Sequence, residues 1–153
     1  MKQGGTVANR HGAAFEESIA GILSSRGYRE MTSEERREFG ITGTSPPAPC
    51  FARQVSPYRN LYNAKFKLDF FVVAENFPEG LIIEVKYQGS NGSVDEKYVF
   101  TVLSLKKLPG HKVFLMAGNG ARADAVNWIK RNQNKDFTYL RVDDFIPWAE
   151  MLL

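Results

Sequence analysis

Two short runs decide how this chain folds: Lys67-Leu68-Asp69-Phe70-Phe71-Val72-Val73 and Leu81-Ile82-Ile83-Glu84-Val85-Lys86-Tyr87-Gln88. Both are mostly apolar, of strand length and rich in Phe, Val and Ile. Between them, Glu75-Asn76-Phe77-Pro78-Glu79-Gly80 carries the Pro and Gly of a turn. A strand sends residues i, i+2 and i+4 to one face, so Glu84, Lys86 and Gln88 point the same way. A hairpin turning about Asn76 and Phe77 sets Asp69 across from Glu84 and Lys67 across from Lys86. The same register sets Leu68 against Val85, Phe70 against Ile83 and Val72 against Leu81, which makes one face uniformly apolar. A slip of one residue would mix polar and apolar side chains on both faces, which a half-buried sheet resists.

Two carboxylates and a lysine then share one patch of sheet. That is the chemistry of a divalent-metal phosphodiesterase site, because hard cations take oxygen ligands and a neighbouring ammonium offsets charge building on phosphorus. The plainer reading of Lys67, Asp69, Glu84 and Lys86 is a cross-strand salt-bridge ladder on a solvated face. Against it, the same face carries Phe71, Val73 and Ile82, and a face half apolar and half charged is not simply an outer surface.

The 153 residues suit one domain with a single core. At 43% hydrophobic and 24% charged, the composition is that of a soluble globular chain. No apolar run approaches the length of a membrane span, and Met1-Lys2-Gln3-Gly4-Gly5-Thr6 lacks the apolar stretch of a signal peptide. The lone Cys50 has no disulfide partner within the chain and no zinc partners at useful spacing. A cytoplasmic setting, of bacterial type or viral, is expected. The net charge of +3 is mildly basic and permits nucleic-acid binding without requiring it.

Residues 9–26 read as an amphipathic helix with Phe15, Ile19, Ile22 and Leu23 on its apolar stripe and Gly27 closing it. Glu16 falls on the rim of that stripe and Glu17 points away, so Glu16 is the carboxylate nearer the interior. Residues 32–39 suit a short, mostly solvated helix. Residues 40–49, with three prolines and two glycines, read as a loop. Residues 51–55 suit either a strand or part of a flap. Beyond Gln88 come a loop over residues 89–92 and a helix opened at Ser93, where Ser93 and Glu96 have capping-box spacing. Residues 112–117 form a buried strand, residues 121–132 a helix with Ala125, Val126, Trp128 and Ile129 inward, and residues 137–142 a last strand. A short helix with Pro147 near its start closes the chain. The order suggests an α/β fold with a mixed central sheet flanked by helices. His11 and His111 read as ordinary surface residues. Phe100, Trp128 and Trp148 read as core. Lys106, Lys107, Lys112, Arg122, Lys130 and Arg131 are candidates for a phosphate-binding rim, though each alone suits a plain solvated charge.

Asp69, Glu84-Val85-Lys86 and the helix bearing Gly12-Ala13-Ala14-Phe15-Glu16 resemble the PD-(D/E)XK nuclease superfamily, the restriction-endonuclease-like fold. Gln88 and Gly92-Ser93-Val94-Asp95-Glu96-Lys97 resemble a branch in which Glu-x-Lys-x-Gln precedes such a helix start. The resemblance runs from about residue 12 to 116, leaves residues 29–51 unmatched, and meets Leu68 where the family name has proline. It implies an α-β-β-β-α-β core within a single nuclease-like domain over residues 1–153, with residues 29–64 a variable insertion or flap. It implies Asp69 and Glu84 as ligands of Mg²⁺ or Mn²⁺, the Val85 carbonyl as a further ligand, Lys86 as the catalytic lysine, and Glu16 as a helix carboxylate serving the site. Gln88 divides between touching a phosphate or metal-bound water and capping an edge strand. The expected activity is metal-dependent hydrolysis of DNA phosphodiesters, by an endonuclease in the absence of any sign of a ring or motor. Cutting both strands of a duplex is simplest for a homodimer. The competing expectations are a catalytically inactive nuclease-fold module that binds nucleic acid, and a protein-interaction module.

Overall fold

The two runs form neighbouring antiparallel strands, β3 (Lys65–Ala74) and β4 (Phe77–Tyr87). In the computed structural model, which describes residues 3–89 and 95–153, with side chains from residue 10 onward apart from that of Asp95, their ladder pairs Phe70 with Ile83, Phe71 with Ile82 and Val72 with Leu81. That is the expected register for these residues, but the expected pairs Leu68–Val85, Asp69–Glu84 and Lys67–Lys86 are not part of the ladder. The turn is tighter than a symmetric hairpin, because Ala74 pairs with Phe77 and the register shifts between Val72 and Ala74. The surplus falls on Pro78, Glu79 and Gly80. Pro78 has no N–H for a ladder. Gly80, at φ 92°, lies so close to the Phe71 ring that a β-carbon there would collide with it. The bulge absorbs the mismatch and leaves the register beyond it intact.

Around this pair stands a six-stranded sheet in the order β1 (Arg29–Glu30), β2 (Cys50–Arg59), β3, β4, β5 (His111–Ala117), β6 (Phe137–Arg141). The β2–β3 and β3–β4 pairs are antiparallel, and β1–β2, β4–β5 and β5–β6 are parallel. Parallel neighbours need a crossover. Helix α3 (Asp95–Lys106) connects β4 to β5, and α4 (Ala123–Arg131) connects β5 to β6. Helix α1 (Gln3–Ser25) precedes the sheet, α2 (Ser33–Thr42) joins β1 to β2, and α5 (Phe145–Leu152) ends the chain. The expected α-β-β-β-α-β core runs through α1, β2, β3, β4, α3 and β5. The fold is α/β with a mixed sheet flanked by helices, as a restriction-endonuclease-like fold requires.

Both faces of the sheet are covered. On one, Phe71, Ile82, Phe114 and Met116 pack under Tyr98, Val102 and Leu105 of α3, Ile129 of α4 and Phe39 of α2. On the other, Phe70, Val72, Leu81, Ile83 and Leu115 pack under Ile19, Ala20 and Leu23 of α1 and Phe145 and Ala149 of α5. Leu68 departs from the expected alternation. It is fully buried but joins the Phe71 and Ile82 cluster instead of the Phe70 and Val72 one. The cause lies on β2, where Gln54, between the pairs Arg53–Phe70 and Val55–Leu68, has φ 53°. A left-handed residue breaks the pleat locally.

Helix α1 starts before residue 9 and gives way at Gly27, whose φ is 90°. Glu16 is half-buried and Glu17 exposed, as their angular positions predict. Helix α2 carries a capping box the sequence reading passed over, with Thr32 accepting from Glu35 N–H at 3.1 Å and Glu35 accepting from Thr32 N–H at 2.9 Å. It continues to Thr42 and closes at Gly43, so the loop expected from residue 40 is shorter. Residues 51–55 lie within a ten-residue strand paired along β3. The proposed cap at Ser93 and the loop over residues 90–92 lie outside the described residues.

Several surface expectations are corrected. Lys112 is only 3% exposed, and its ammonium donates to the carbonyls of Leu108 at 2.7 Å and Gly110 at 2.8 Å. Lys106 likewise donates to the Asn132 carbonyl at 2.9 Å. Both hold chain turns and neither is free for a phosphate rim. His111 is half-buried, bonded to Thr138 Oγ1 at 2.8 Å and stacked toward Trp148, so it is no ordinary surface residue. Phe100 is only half-buried and faces Tyr62, which is 82% exposed.

Candidate active site

The β3–β4 ladder ends at the Phe70–Ile83 pair, while β4 stays paired with β5 through Tyr87. Asp69 and Glu84 are the next residues beyond that end. The Val85 N–H donates to Asp69 Oδ2 at 2.9 Å, so a side chain does what a β3 carbonyl would do in a continuing ladder. The strands part here, and the gap between them is lined with acid. Asp69 is half-buried, and its Oδ1 accepts from Gln54 Nε2 at 3.2 Å.

Glu84 is 3% exposed. Its Oε1 accepts from Lys86 Nζ at 2.5 Å, which confirms that the two share a face. Its Oε2 is buried and accepts no hydrogen bond from a donor among the described residues. A buried carboxylate oxygen that meets no donor is costly, and its presence asks for an explanation. Burial pushes the Glu84 pKa up to about 7, with Lys86 opposing and Asp69 reinforcing the rise. Burial alone would lower the Lys86 pKa, but Glu84 and Asp69 outweigh it and hold the amine as an ammonium.

Glu16 arrives from α1, and Gln54 Nε2 donates to its Oε1. Burial, and then the charge of Asp69, raise the Glu16 pKa. One amide thus bridges two carboxylates that repel each other. Gln54 is the residue sequence reasoning missed. It faces Asp69 only through the β2–β3 register, and the signal available was a polar Arg53-Gln54 pair inside an otherwise apolar run. Arg53 compensates the acids at this site only weakly: its guanidinium is engaged by Glu30 and Glu17, each at 2.6 Å, and its charge is the least of the influences on Glu16.

Gln88 lies just past the end of β4 and is buried. The hydroxyl of Tyr98, on α3, donates to its side-chain oxygen. Its backbone ties to β5 and the following turn, through Ala117 O at 3.0 Å and Gly120 N–H at 2.8 Å. Gln88 therefore braces the end of β4 against α3, and Tyr98 is a second contributor the sequence did not announce. On the other side, His11 stacks on Tyr87 with centroids 4.6 Å apart, which fixes α1 over the same strand end.

Ionised, Glu16, Asp69, Glu84 and Lys86 together carry a surplus of negative charge that a divalent cation would neutralise. Among the described residues no three His, Cys, Asp or Glu side chains converge into a full cage. The pair of carboxylates on Asp69 and Glu84 suits Mg²⁺, an ion that keeps several waters and takes one or two carboxylates. The buried Glu84 Oε2 fits that demand. Among the described residues no helix is long and apolar enough to cross a membrane.

No curated protein and no solved structure matches the chain. A family model does, that of the PD-(D/E)XK nuclease superfamily domain, over residues 7–152. With nearly the whole length matched and the acids and lysine of the motif gathered where β3 and β4 part, the chain belongs to the PD-(D/E)XK nuclease superfamily.

Proposed function

We propose that this chain is a metal-dependent deoxyribonuclease, an endonuclease that hydrolyses DNA phosphodiesters with Mg²⁺ or Mn²⁺. The observation that carries the reading is the buried Oε2 of Glu84 beside Asp69, which meets no donor among the described residues, with the Lys86 ammonium 2.5 Å from the other oxygen of the same carboxylate. Asp69 and Glu84 would hold the ion, with the Val85 carbonyl as a third donor. When bound, such an ion lowers the pKa of water and stabilises charge on the phosphoryl oxygens. Lys86 is the catalytic lysine. Its ammonium keeps Glu84 Oε1 occupied, which leaves Oε2 available to a cation, and it would offset charge building on the phosphate. Glu16 and Gln54 set the position of Asp69. Gln88 supports the strand end that presents Lys86.

The test incubates plasmid, linear and branched DNA with Mg²⁺ or Mn²⁺, beside Asp69→Ala, Glu84→Ala and Lys86→Ala. The expected result is nicking or cutting of closed plasmid by the wild-type chain and a loss of at least about a hundredfold in each variant, with folding and DNA binding retained. DNA binding in EDTA without cleavage under any metal would assign the chain to inactive nucleic-acid-binding modules instead. A duplex cut with a rate second order in protein would support the homodimer.

A further inference from the structure

Beside the carboxylates lies a groove of about 620 Å³ between α2 and β2. It opens because β2 is irregular where it passes the helix. Gln54 is in the left-handed region, and the register with β3 shifts between Val55 and Tyr58. The charged residues lining the groove are Arg36, Arg37 and Lys65, and no carboxylate lines it. Ser33 and Ser56 add hydroxyls. Among the described residues none of the three cations is in a salt bridge. Arg36 reaches only the neutral Arg53 carbonyl, at 3.4 Å. Arg53 itself, by contrast, is neutralised by two glutamates.

Three uncompensated cations in a concave, hydroxyl-bearing groove form a site for a polyanion. The groove also connects to the acids. Gln54 stands in its wall, and the same Gln54 amide donates to Glu16 and Asp69. A substrate with one phosphate at the carboxylates carries further phosphates along the same strand, and the groove is the neighbouring surface charged to receive them.

We propose that the α2–β2 groove binds the sugar-phosphate backbone of the substrate strand on one side of the scissile phosphate, through Arg36, Arg37 and Lys65. The proposal rests on the nuclease reading of the adjoining carboxylates. It gives the segment over residues 29–64 a task in substrate binding.

The experiment measures DNA affinity without cleavage, in EDTA, across a salt series. It compares the wild-type chain with Arg37→Gln/Lys65→Gln and with Arg26→Gln/Lys135→Gln, an exposed pair outside the groove. Each lost phosphate contact removes about 0.9 from the slope of log K against log salt. The groove variant should bind at least about tenfold more weakly with a slope shallower by about two, and the control variant should match wild type. Acylation footprinting of the unmodified chain gives an answer that does not depend on the variants folding: DNA should protect Lys65 and leave Lys135 reactive. Wild-type affinity and slope in a folded groove variant, or Lys65 unprotected by bound DNA, would overturn the proposal while leaving the nuclease reading standing. Absence of salt-dependent DNA affinity in the wild-type chain would remove the nuclease reading and the groove with it.

Discussion

Gln54 concentrates the physics of the site in one residue. Its φ of 53° places a side chain bearing an amide where two acids need a shared donor. A non-glycine residue in that region costs about 1 kcal/mol, so the position trades backbone comfort for the placement of Glu16 and Asp69. Gln54→Gly relieves the backbone and removes the bridge. We expect its melting temperature to stay close to wild type, while kcat falls about tenfold and KM changes little, because the amide holds Asp69 in place and is not among the cations proposed to grip the substrate strand. Steady-state cleavage beside a thermal melt separates the two effects. A loss of stability with kcat unchanged would make Gln54 merely structural. At this scale the sequence was partly legible. Glu84, Lys86 and Gln88 share a face by strand periodicity alone, and Glu16 was distinguishable from Glu17 by helical angle. The pairing of Gln54 with Asp69 joins β2 to β3 across an irregular connection, and no periodicity reports it.

At the scale of elements, α2 is pinned to the sheet edge by Glu35, which closes the capping box and also meets Arg29 Nη1 of β1 at 2.7 Å. The Arg29 hydrogen bonds, and then the Thr32 backbone N–H, lower the Glu35 pKa to about 2. A carboxylate whose folded pKa lies below its unfolded value contributes stability that is fully present above about pH 4.5 and is lost as pH falls toward 2. The difference in melting temperature between wild type and Glu35→Gln should therefore be largest near neutrality and vanish as pH drops through that window. A constant difference would mean the charge plays no part. The turn after β5 makes a second case. Gly118, at φ 80°, lies against the Gln88 carbonyl, and its own carbonyl accepts from Arg141 Nη1 at 2.6 Å. Gly118→Ala adds both a strained φ and a collision with backbone. It should lower stability by about 2 kcal/mol or more in urea unfolding, and cleavage should fall with it because the end of β4 shifts. The capping box is legible in the sequence as Thr32-Ser33-Glu34-Glu35, a Thr followed three residues later by Glu. The bulge at residues 78–80 was not legible, since turn geometry is set by the packing of Gly80 against Phe71.

For the whole molecule, the site exists because one sheet changes partner. β4 leaves β3 at Ile83 and continues beside β5, and the acids occupy the opening. That arrangement crowds negative charge in the folded state only, so an ion that bridges Asp69 and Glu84 should stabilise the fold by linkage. Mg²⁺ at a hundred times its dissociation constant is worth about 2.7 kcal/mol. The melting temperature should rise with Mg²⁺ in the wild-type chain and stay flat in Asp69→Asn and Glu84→Gln, whereas a general salt effect would raise all three alike.

Strand periodicity and the apolar face of the hairpin determined the β3–β4 register and the grouping of Glu84, Lys86 and Gln88, because a strand has only two faces and one must be greasy. They determined the α/β class through the alternation of helical and strand periods. The tertiary structure alone decided that the ladder splits beyond Ile83, that Gln54 reaches Asp69 and Glu16, that Lys106 and Lys112 hold carbonyls while Arg36, Arg37 and Lys65 stay uncompensated. Those outcomes depend on which distant segments are brought together. Local periodicity records which way a side chain points, not what it meets when it gets there.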